Sequence, residues 1–384
     1  MLKLSTRVLQ VSESGIRKLF DLARKVSDVI SFGIGEPDYD TPAHIKEAAK
    51  KALDEGYTHY TPNAGFPELR EEIANKLRRE NSIEASPDEV MVTSGGTAAI
   101  FLALSVLVDQ GDHVLTPDPG FVVYEQVIKA IGGKPVKYQL RSEDFDIDLE
   151  DLEKKITDKT KCIIVNTPSN PTGAVHPEKT LREVANIALQ HEVYILSDEV
   201  YEKFIYDGEK HFSIASIPDA KPITITVNSF SKTYAMCGWR IGYFAAEKAI
   251  VDEAVKLQQY TLVHAPSIAQ KAALAALRGP QDHITEMVRE YDKRRRTIVK
   301  LLNEVDGFTC PTPKGAFYAF PKTDGYDMSS YQLAEKLLKE AKVATVPGIA
   351  FGERGEKHLR FAYTIPVEKI VEGIERVKRA LKST

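Results

Sequence analysis

The sequence has little of several features that mark specialised classes of protein. Three cysteines, Cys162, Cys237 and Cys310, stand far apart in 384 residues and show no metal-ligand spacing. Such a sparse, odd number favours a reducing compartment over a disulfide framework. There is no run of 18 apolar residues that would span a membrane, and the N-terminal stretch lacks the apolar segment of a signal peptide. We therefore expect a cytoplasmic protein without a membrane anchor.

An excess of charge of one sign is also missing. The 51 lysine and arginine residues nearly balance the 55 aspartate and glutamate residues, and the formal net charge is −4. This balance provides no basic surface for nucleic acid or for an anionic membrane. The sequence contains neither repeats nor low-complexity tracts, and it is too long for one ordinary hydrophobic core. We expect a globular protein of two domains.

Short apolar runs alternate with amphipathic helical patterns over the middle of the chain. Turn residues bound each run, and patterns such as "LREVANIALQHE" separate the runs. This alternation predicts an α/β fold with a parallel sheet that helices cover on both faces. The apolar runs are "EVMVT", "HVLTP", "CIIVN", "VYILS" and "ITITV".

The pattern changes after these runs to long helices, then short strand-like segments and a final helix. We read this part as a second, α+β domain. The first residues have little core of their own and are expected to pack onto it. The predicted division is an N-terminal arm with part of the small domain (1–45), a large domain (46–264) and a small C-terminal domain (265–384).

Residues that follow the apolar runs are candidates for a binding site, because ligands of open parallel sheets bind at the carboxyl ends of the strands. Gly95 and Gly96 follow "EVMVT" and open a helical pattern, where backbone amides can approach an anion. Lys232 follows "ITITV", and a lysine beside a buried strand can have a depressed pKa and attack a carbonyl group. An ordinary tight turn would also explain the two glycines.

Three further runs end in polar or aromatic residues. Phe121 follows "HVLTP", Asn170 lies in the loop after "CIIVN", and Asp198 and Tyr201 follow "VYILS". Taken alone, each has an ordinary structural explanation: a core aromatic, turn chemistry or a helix cap. Together with the lysine and with Arg240, which suits a phosphate, they match what a phosphorylated aldehyde cofactor would need.

Other classes explain these residues less well. Ser229, Phe230, Ser231 and Lys232 form the S-x-x-K pattern of β-lactamases, but neither S-D-N nor K-T-G occurs in the sequence. "GIGEPD" lacks the third glycine of a nicotinamide-binding fingerprint. A regulator would need a DNA-binding domain ahead of Gly35, and the sequence leaves no room for one.

A set of longer motifs resembles one enzyme family over almost the entire chain. The set resembles the class I pyridoxal-phosphate-dependent aminotransferases of fold type I, the aspartate aminotransferase family, and within it the archaeal aromatic aminotransferases. This resemblance implies a mostly parallel sheet sandwiched by helices plus a smaller α+β domain, pyridoxal phosphate as cofactor, no metal, and a homodimer with shared active sites. The motifs are "GIGEPDYDTP", "THYTPNAGFPELR", "TSGGTAAI", "NTPSNPTG", "SDEVYE", "SFSKTYAMCGWRIGY" and "HLRFAYT".

The resemblance also implies roles for individual residues. The catalytic group would be Lys232, which forms the Schiff base and moves a proton, with Asp198 at the pyridinium nitrogen and Tyr201 at the ring oxygen. Asn170 would share the ring oxygen, and Phe121 would stack on the ring. The residues that resemble phosphate-binding groups are Gly95, Gly96, Thr97, Ser229, Ser231, Arg240 and, from the neighbouring subunit, Tyr60.

Three residues resemble those that bind the substrate carboxylate in this family. Arg360 would clamp it bidentately, while Gly35 would approach it through its backbone and Asn170 would lie beside it. The implied reaction moves an amino group from an amino acid to a 2-oxo acid by ping-pong kinetics.

The side chain of the substrate is predicted from the charges and the aromatic residues expected at the site. We find no additional arginine for a distal carboxylate, and a pocket of aromatic and apolar residues would suit an aromatic amino acid. We expect tyrosine, phenylalanine or tryptophan as donor and, by family analogy, 2-oxoglutarate as acceptor. The alternatives are an aspartate, alanine or broad-specificity (kynurenine-type) aminotransferase. The expected pocket residues are Tyr60, Phe121 and Tyr124, together with Tyr318 or Ile349.

Overall fold

The structure is a computed structural model that describes residues 4–12 and 26–382. Its strands are β1 (Ile30–Ser31), β2 (Val90–Thr93), β3 (His113–Asp118), β4 (Lys134–Gln139), β5 (Thr160–Asn166), β6 (Tyr194–Asp198), β7 (Thr224–Ser229), β8 (Gly242–Ala245), β9 (Tyr318–Ala319), β10 (Val343–Ala344), β11 (Val346–Pro347) and β12 (Leu359–Ala362). Its α-helices are α1 (Thr6–Leu9), α2 (Ala43–Asp54), α3 (Pro67–Asn81), α4 (Gly96–Leu107), α5 (Val122–Ile131), α6 (Leu149–Lys154), α7 (Glu178–Gln190), α8 (Phe230–Thr233), α9 (Lys248–Thr261), α10 (Ser267–Arg278), α11 (Asp282–Leu302), α12 (Ser330–Lys336) and α13 (Val367–Lys382).

The largest sheet has seven strands in the order β2-β8-β7-β6-β5-β3-β4. All of its neighbouring pairs are parallel except those made by β8, which runs antiparallel to both β2 and β7. The prediction of a mostly parallel α/β sheet is therefore confirmed. The sequence pattern did not single out β4 or β8, because β4 carries two lysines and β8 lies inside the motif that follows Lys232.

Helices cover both faces of this sheet and form a core on each. On one face, Leu196 of β6 and Ile225 of β7 pack with α4, α5 and α9. On the other, Ile163 and Ile195 pack with α6 and α7. Because both faces are buried, the strands are continuous apolar runs without alternation. Helix α4 is apolar around most of its circumference since it lies between the sheet and α9.

The strand register brings the predicted strand ends to one edge of the sheet. Asn166 and Asp198 are paired residues at the ends of β5 and β6. Ser229 ends β7 and pairs with Gly242 of β8, which also pairs with Thr93 at the end of β2. Four loops that begin at this edge therefore start close together.

A second group of strands lies in the C-terminal part of the chain. Strands β11, β12 and β9 form an antiparallel sheet, and β1 pairs in parallel with β10. The backbone oxygen of Phe32 also accepts a hydrogen bond from Ala362 at 2.7 Å, so the segment around β1 packs onto this part. The division of the chain at residues 45 and 264 stays a prediction. None of the helices in the described residues is sufficiently long and apolar to cross a membrane.

Candidate active site

A cavity of about 350 Å³ lies at the edge where the strands β5, β6 and β7 end. It brings together most of the residues that the sequence singles out, from the N-terminal segment, the strand ends and β12. The predicted site residues that line the cavity are Gly35, Gly96, Thr97, Phe121, Asn170, Asp198, Tyr201, Ser229, Ser231, Lys232, Arg240 and Arg360. The individual roles of these residues stay predictions.

The amino group of Lys232 lies inside this cavity. The lysine belongs to the short helix α8, which Ser229 caps by accepting a hydrogen bond from the Ser231 amide. Its Nζ donates to the backbone oxygen of Gly35 at 2.6 Å and lies 3.9 Å from Cys237 Sγ. Within residues 4–12 and 26–382, no carboxylate forms an ion pair with this group. A backbone oxygen, and no carboxylate of the described residues within hydrogen-bond distance, thus holds the amine in place.

Asp198 is a buried carboxylate with few partners. It ends β6, and its Oδ2 accepts a hydrogen bond from the Tyr124 hydroxyl at 2.6 Å, while its Oδ1 accepts a longer one of 3.3 Å from the Val200 amide. Burial raises the pKa of Asp198 to about 6, although the Tyr124 hydrogen bond and the charge of Lys232 oppose the rise. A buried carboxylate in this state is suited to a cationic ligand group.

The N-terminus of α4 and Arg240 lie together at one side of the cavity, and we name this group the phosphate cradle (Gly95, Gly96, Ser229, Ser231 and Arg240) after its predicted role. Gly95 has a φ of 91°, which would strain any other residue, and an ideal Cβ there would lie 2.6 Å from Arg240 Nη2 and would displace it. Arg240 itself adopts a left-handed conformation with a φ of 54°. Such a conformation is costly for a residue with a side chain. Helix amides, two hydroxyls and a guanidinium group suit a phosphate. Gly95 does not line the cavity itself but supports its wall.

Arg360 is a buried cation on β12. Its Nη1 donates to Asn170 Oδ1 at 2.9 Å and its Nη2 to the Gly33 oxygen at 2.6 Å. Its guanidinium carbon lies 4.5 Å from the ring centre of Tyr318 and 5.0 Å from that of Phe351. Its Nε has no partner in the described part of the chain, and burial lowers its pKa. A buried guanidinium group that faces a cavity without a carboxylate partner is suited to bind one.

Tyr60 is the predicted site residue that lies apart from the others. Its side chain is 86% exposed and contacts His264 edge-on at 5.7 Å between ring centres. Both residues line a separate groove with Thr58 and His59. Tyr60 therefore does not reach the cavity of its own chain, and its contact with a neighbouring subunit stays a prediction.

The expected aromatic pocket is partly wrong. Tyr124 is only 1% exposed and its hydroxyl is engaged by Asp198, so it lies beneath the cavity and does not line it. The reason is its place in the first turn of α5, which points it at the sheet. Ile349 lines an adjoining cavity that shares Thr97, whereas Tyr318 does line the main one.

Sequence reasoning also missed residues of the cavity. Asn166 lines it and orients its neighbours: its Nδ2 donates to the Asp198 backbone oxygen at 3.0 Å, and its Oδ1 accepts from the Asn170 amide at 2.9 Å. Asn166 is the last residue of β5, so the rule that ligands bind at strand ends could have identified it. Cys237 and Glu36 line the cavity as well. Both lie inside the family motifs, but the sequence reasoning assigned neither one a role.

Comparisons with known proteins agree on the family. The profile of the family "Aminotransferase class I and II" matches residues 27–377. An aspartate aminotransferase of Pyrococcus abyssi is 48% identical over 383 residues, which are 99% of this chain and 98% of the relative. The aromatic-amino-acid aminotransferase 2 of Thermococcus litoralis is 46% identical over 383 residues, with the same shares of both chains.

A solved structure adds a likeness in three dimensions. The aromatic aminotransferase from Pyrococcus horikoshii superposes with a TM-score of 0.91 and a sequence identity of 48%. The superposition covers 95% of this chain and 99% of that one.

Proposed function

This chain belongs to the class I and II aminotransferases, and we propose that it uses pyridoxal phosphate to move the amino group of an aromatic amino acid to a 2-oxo acid such as 2-oxoglutarate. One observation carries this proposal. Lys232, Asp198, the phosphate cradle and Arg360 converge on a single cavity.

The residues of the cavity fit the cofactor. The phosphate cradle suits its phosphate, the buried carboxylate of Asp198 suits a protonated pyridine nitrogen, and Lys232 suits its aldehyde carbon. Bound pyridoxal phosphate would supply a carbonyl group that takes up the amino group and a ring that withdraws electrons from the substrate α carbon. Phe121 and Val200 also line the cavity and offer apolar surface to a flat ring.

Three side chains of the cavity then have different roles in the reaction. Arg360 binds the substrate α-carboxylate with the fork of its guanidinium group. This contact fixes the α carbon near Lys232, whose amine removes the α proton and returns it one step later. The negative charge of Asp198 would keep the ring nitrogen of the bound cofactor protonated.

The charges of the cavity support an aromatic substrate. Among the described residues, its cations are Lys232, Arg240 and Arg360, and each is already assigned to the cofactor or the α-carboxylate. Glu36 at the rim would repel a second substrate carboxylate. The apolar wall includes Ile34, Ile100, Val200, Phe121 and Tyr318. Aspartate remains the second candidate, because the Pyrococcus abyssi relative is named an aspartate aminotransferase.

We further propose a homodimer in the cytoplasm. Tyr60 and Tyr260 are 86% and 85% exposed, and Leu262 and Val263 expose large parts of their side chains near them. Exposed apolar side chains grouped in this way favour a protein–protein contact. The three cysteines are free, as expected for a reducing compartment.

The test is an assay of glutamate formation from 2-oxoglutarate, with tyrosine or aspartate as donor and with added cofactor. We expect a higher kcat/KM with tyrosine and no turnover in Lys232→Ala. A higher kcat/KM with aspartate would overturn the substrate class and leave the reaction in place. Failure with every donor tried would overturn the proposed function.

A further inference from the structure

The side chain of Tyr318 lies between three parts of the candidate site. It belongs to β9, is 1% exposed and lines the cavity. β9 pairs with β12, which carries Arg360, and the registered pair Ala362 and Tyr318 places the two strands side by side. Its position brings one phenol into contact with residues that come from distant parts of the sequence.

The first contact is a hydrogen bond between two phenols. The hydroxyl groups of Tyr318 and Tyr201 lie 2.7 Å apart, and their rings meet edge-on at 5.7 Å. Burial raises the pKa of Tyr201 well above its ordinary value, and the interaction with Tyr318 adds to the rise. Tyr201 is therefore neutral over the working range of pH and can donate one hydrogen bond.

The second contact is with the cation that is proposed to bind the substrate. The guanidinium carbon of Arg360 lies 4.5 Å from the centre of the Tyr318 ring, within the range of a cation–π interaction. Phe351 lies 5.0 Å from the same carbon. The two rings fix the guanidinium plane while Asn170 and Gly33 hold its nitrogens.

The third contact is with Gly35. An ideal Cβ on this glycine would lie 2.1 Å from the Tyr318 hydroxyl oxygen and 2.9 Å from two ring carbons. The absence of a side chain at Gly35 is thus what lets the phenol reach Tyr201. The same glycine accepts the hydrogen bond from Lys232 Nζ, so the phenol and the lysine share one neighbour.

We propose that Tyr318 is a positioning residue that contacts both sides of the site, an inference that rests on the proposed function. It acts on the cofactor side through Tyr201 and on the substrate side through Arg360. With the cofactor bound, Tyr201 would donate its one proton to the ring oxygen, and Tyr318 would then be the donor in the bond between the phenols. Accepting that bond makes Tyr201 a stronger donor. The ring of Tyr318 acts separately, by holding Arg360 in the orientation that a carboxylate needs.

Two substitutions separate these two actions. Tyr318→Phe removes only the hydroxyl, whereas Tyr318→Leu removes the ring as well. The readouts are the pH at which the visible absorbance band of the cofactor-loaded enzyme changes, and the kcat and KM for tyrosine. The matched control is Tyr206→Phe, since Tyr206 is buried, donates to the Ala316 oxygen at 2.6 Å and lies 4.7 Å from the Arg295 guanidinium carbon, away from the cavity.

For Tyr318→Phe we expect the midpoint of the spectral titration to rise by about half a unit to one unit, because the ring oxygen loses part of its stabilisation as an anion. Its KM should stay within about twofold of wild type, as the cation–π contact survives. Tyr318→Leu should show the same spectral shift and a KM raised about tenfold. Tyr206→Phe should match wild type in both measurements.

Two results would overturn the inference. A spectral midpoint unchanged in Tyr318→Phe would show that the hydroxyl does not act on the cofactor through Tyr201. A wild-type KM in Tyr318→Leu would show that the ring does not orient Arg360. Either result, obtained with a wild-type enzyme that has a visible band and transfers amino groups, leaves the proposed function intact. Absence of the band in wild type would instead overturn the proposed function.

Discussion

Replacing Asp198 by asparagine should stabilise the cofactor-free protein and at the same time abolish its activity. Burial raises the pKa of Asp198 from 3.8 to about 6, so folding at neutral pH includes the cost of holding a carboxylate charged inside the protein. A rise of about two units corresponds to about 3 kcal/mol, at 1.36 kcal/mol for each unit. Asparagine keeps an oxygen to accept the Tyr124 hydrogen bond and avoids this cost.

The predicted stabilisation depends on pH in a defined direction. Between the unfolded pKa of 3.8 and the folded pKa of about 6, the folded wild type binds a proton that the unfolded chain does not. Wild-type stability from this group therefore rises as the pH falls through that window. The advantage of Asp198→Asn should be close to its full value at about pH 7 and should nearly vanish at about pH 4.

The assay is urea denaturation of cofactor-free wild type and variant at several pH values. Asp146→Asn is a control for which we expect the opposite change in the free energy of unfolding. Asp146 is buried too, but hydrogen bonds from His176 and Thr180 outweigh the effect of burial and lower its pKa. Its variant should be less stable than wild type at about pH 7. If Asp198→Asn were no more stable than wild type at that pH, our description of Asp198 as a destabilising buried charge would be refuted.

Three further predictions concern other parts of the protein. Burial raises the pKa of Glu202, but the charge of a lysine on α3 outweighs burial and lowers this pKa from 4.5 to about 2. Glu202→Gln should therefore destabilise the protein by about 3 kcal/mol at neutral pH. Denaturation curves should show that this contribution fades as the pH falls from 4.5 towards 2. Gly95→Ala should weaken cofactor binding in a spectral titration because its Cβ would displace Arg240, whereas Gly111→Ala, with a similar φ of 93° and no neighbour within 4 Å, should leave the affinity unchanged. Arg360→Lys should raise the KM for tyrosine by about 30-fold to 100-fold with a smaller change in kcat, since a lysine cannot bind a carboxylate bidentately. An unchanged KM in steady-state kinetics would contradict the role of Arg360 in binding the substrate α-carboxylate.

Much of the fold and of the candidate site could be predicted from short sequence patterns. The five apolar runs correspond to β2, β3, β5, β6 and β7, because strands buried on both faces must be apolar throughout. The rule that ligands bind at strand ends points to Lys232 and Asp198 without reference to any family. These predictions worked because a local pattern and its position in the sheet are directly linked.

The sequence could not predict contacts that depend on how distant segments meet. Tyr124 is an aromatic residue of the kind that lines pockets, but the orientation of α5 directs its hydroxyl to Asp198. Tyr318 joins Tyr201 and Arg360 only because β9 lies beside β12 and Gly35 leaves space. Such contacts depend on tertiary packing, which neither the periodicity of apolar residues nor the spacing of motifs in the sequence predicts.

The covalent site of the cofactor is the most direct test of the central claim. The purified protein would be loaded with pyridoxal phosphate, reduced with borohydride, digested and mapped by mass spectrometry. We predict a single modified peptide that carries the pyridoxyl group on Lys232, and none when tyrosine is added before reduction in the absence of a 2-oxo acid. Modification of another lysine, or of none, would contradict the account.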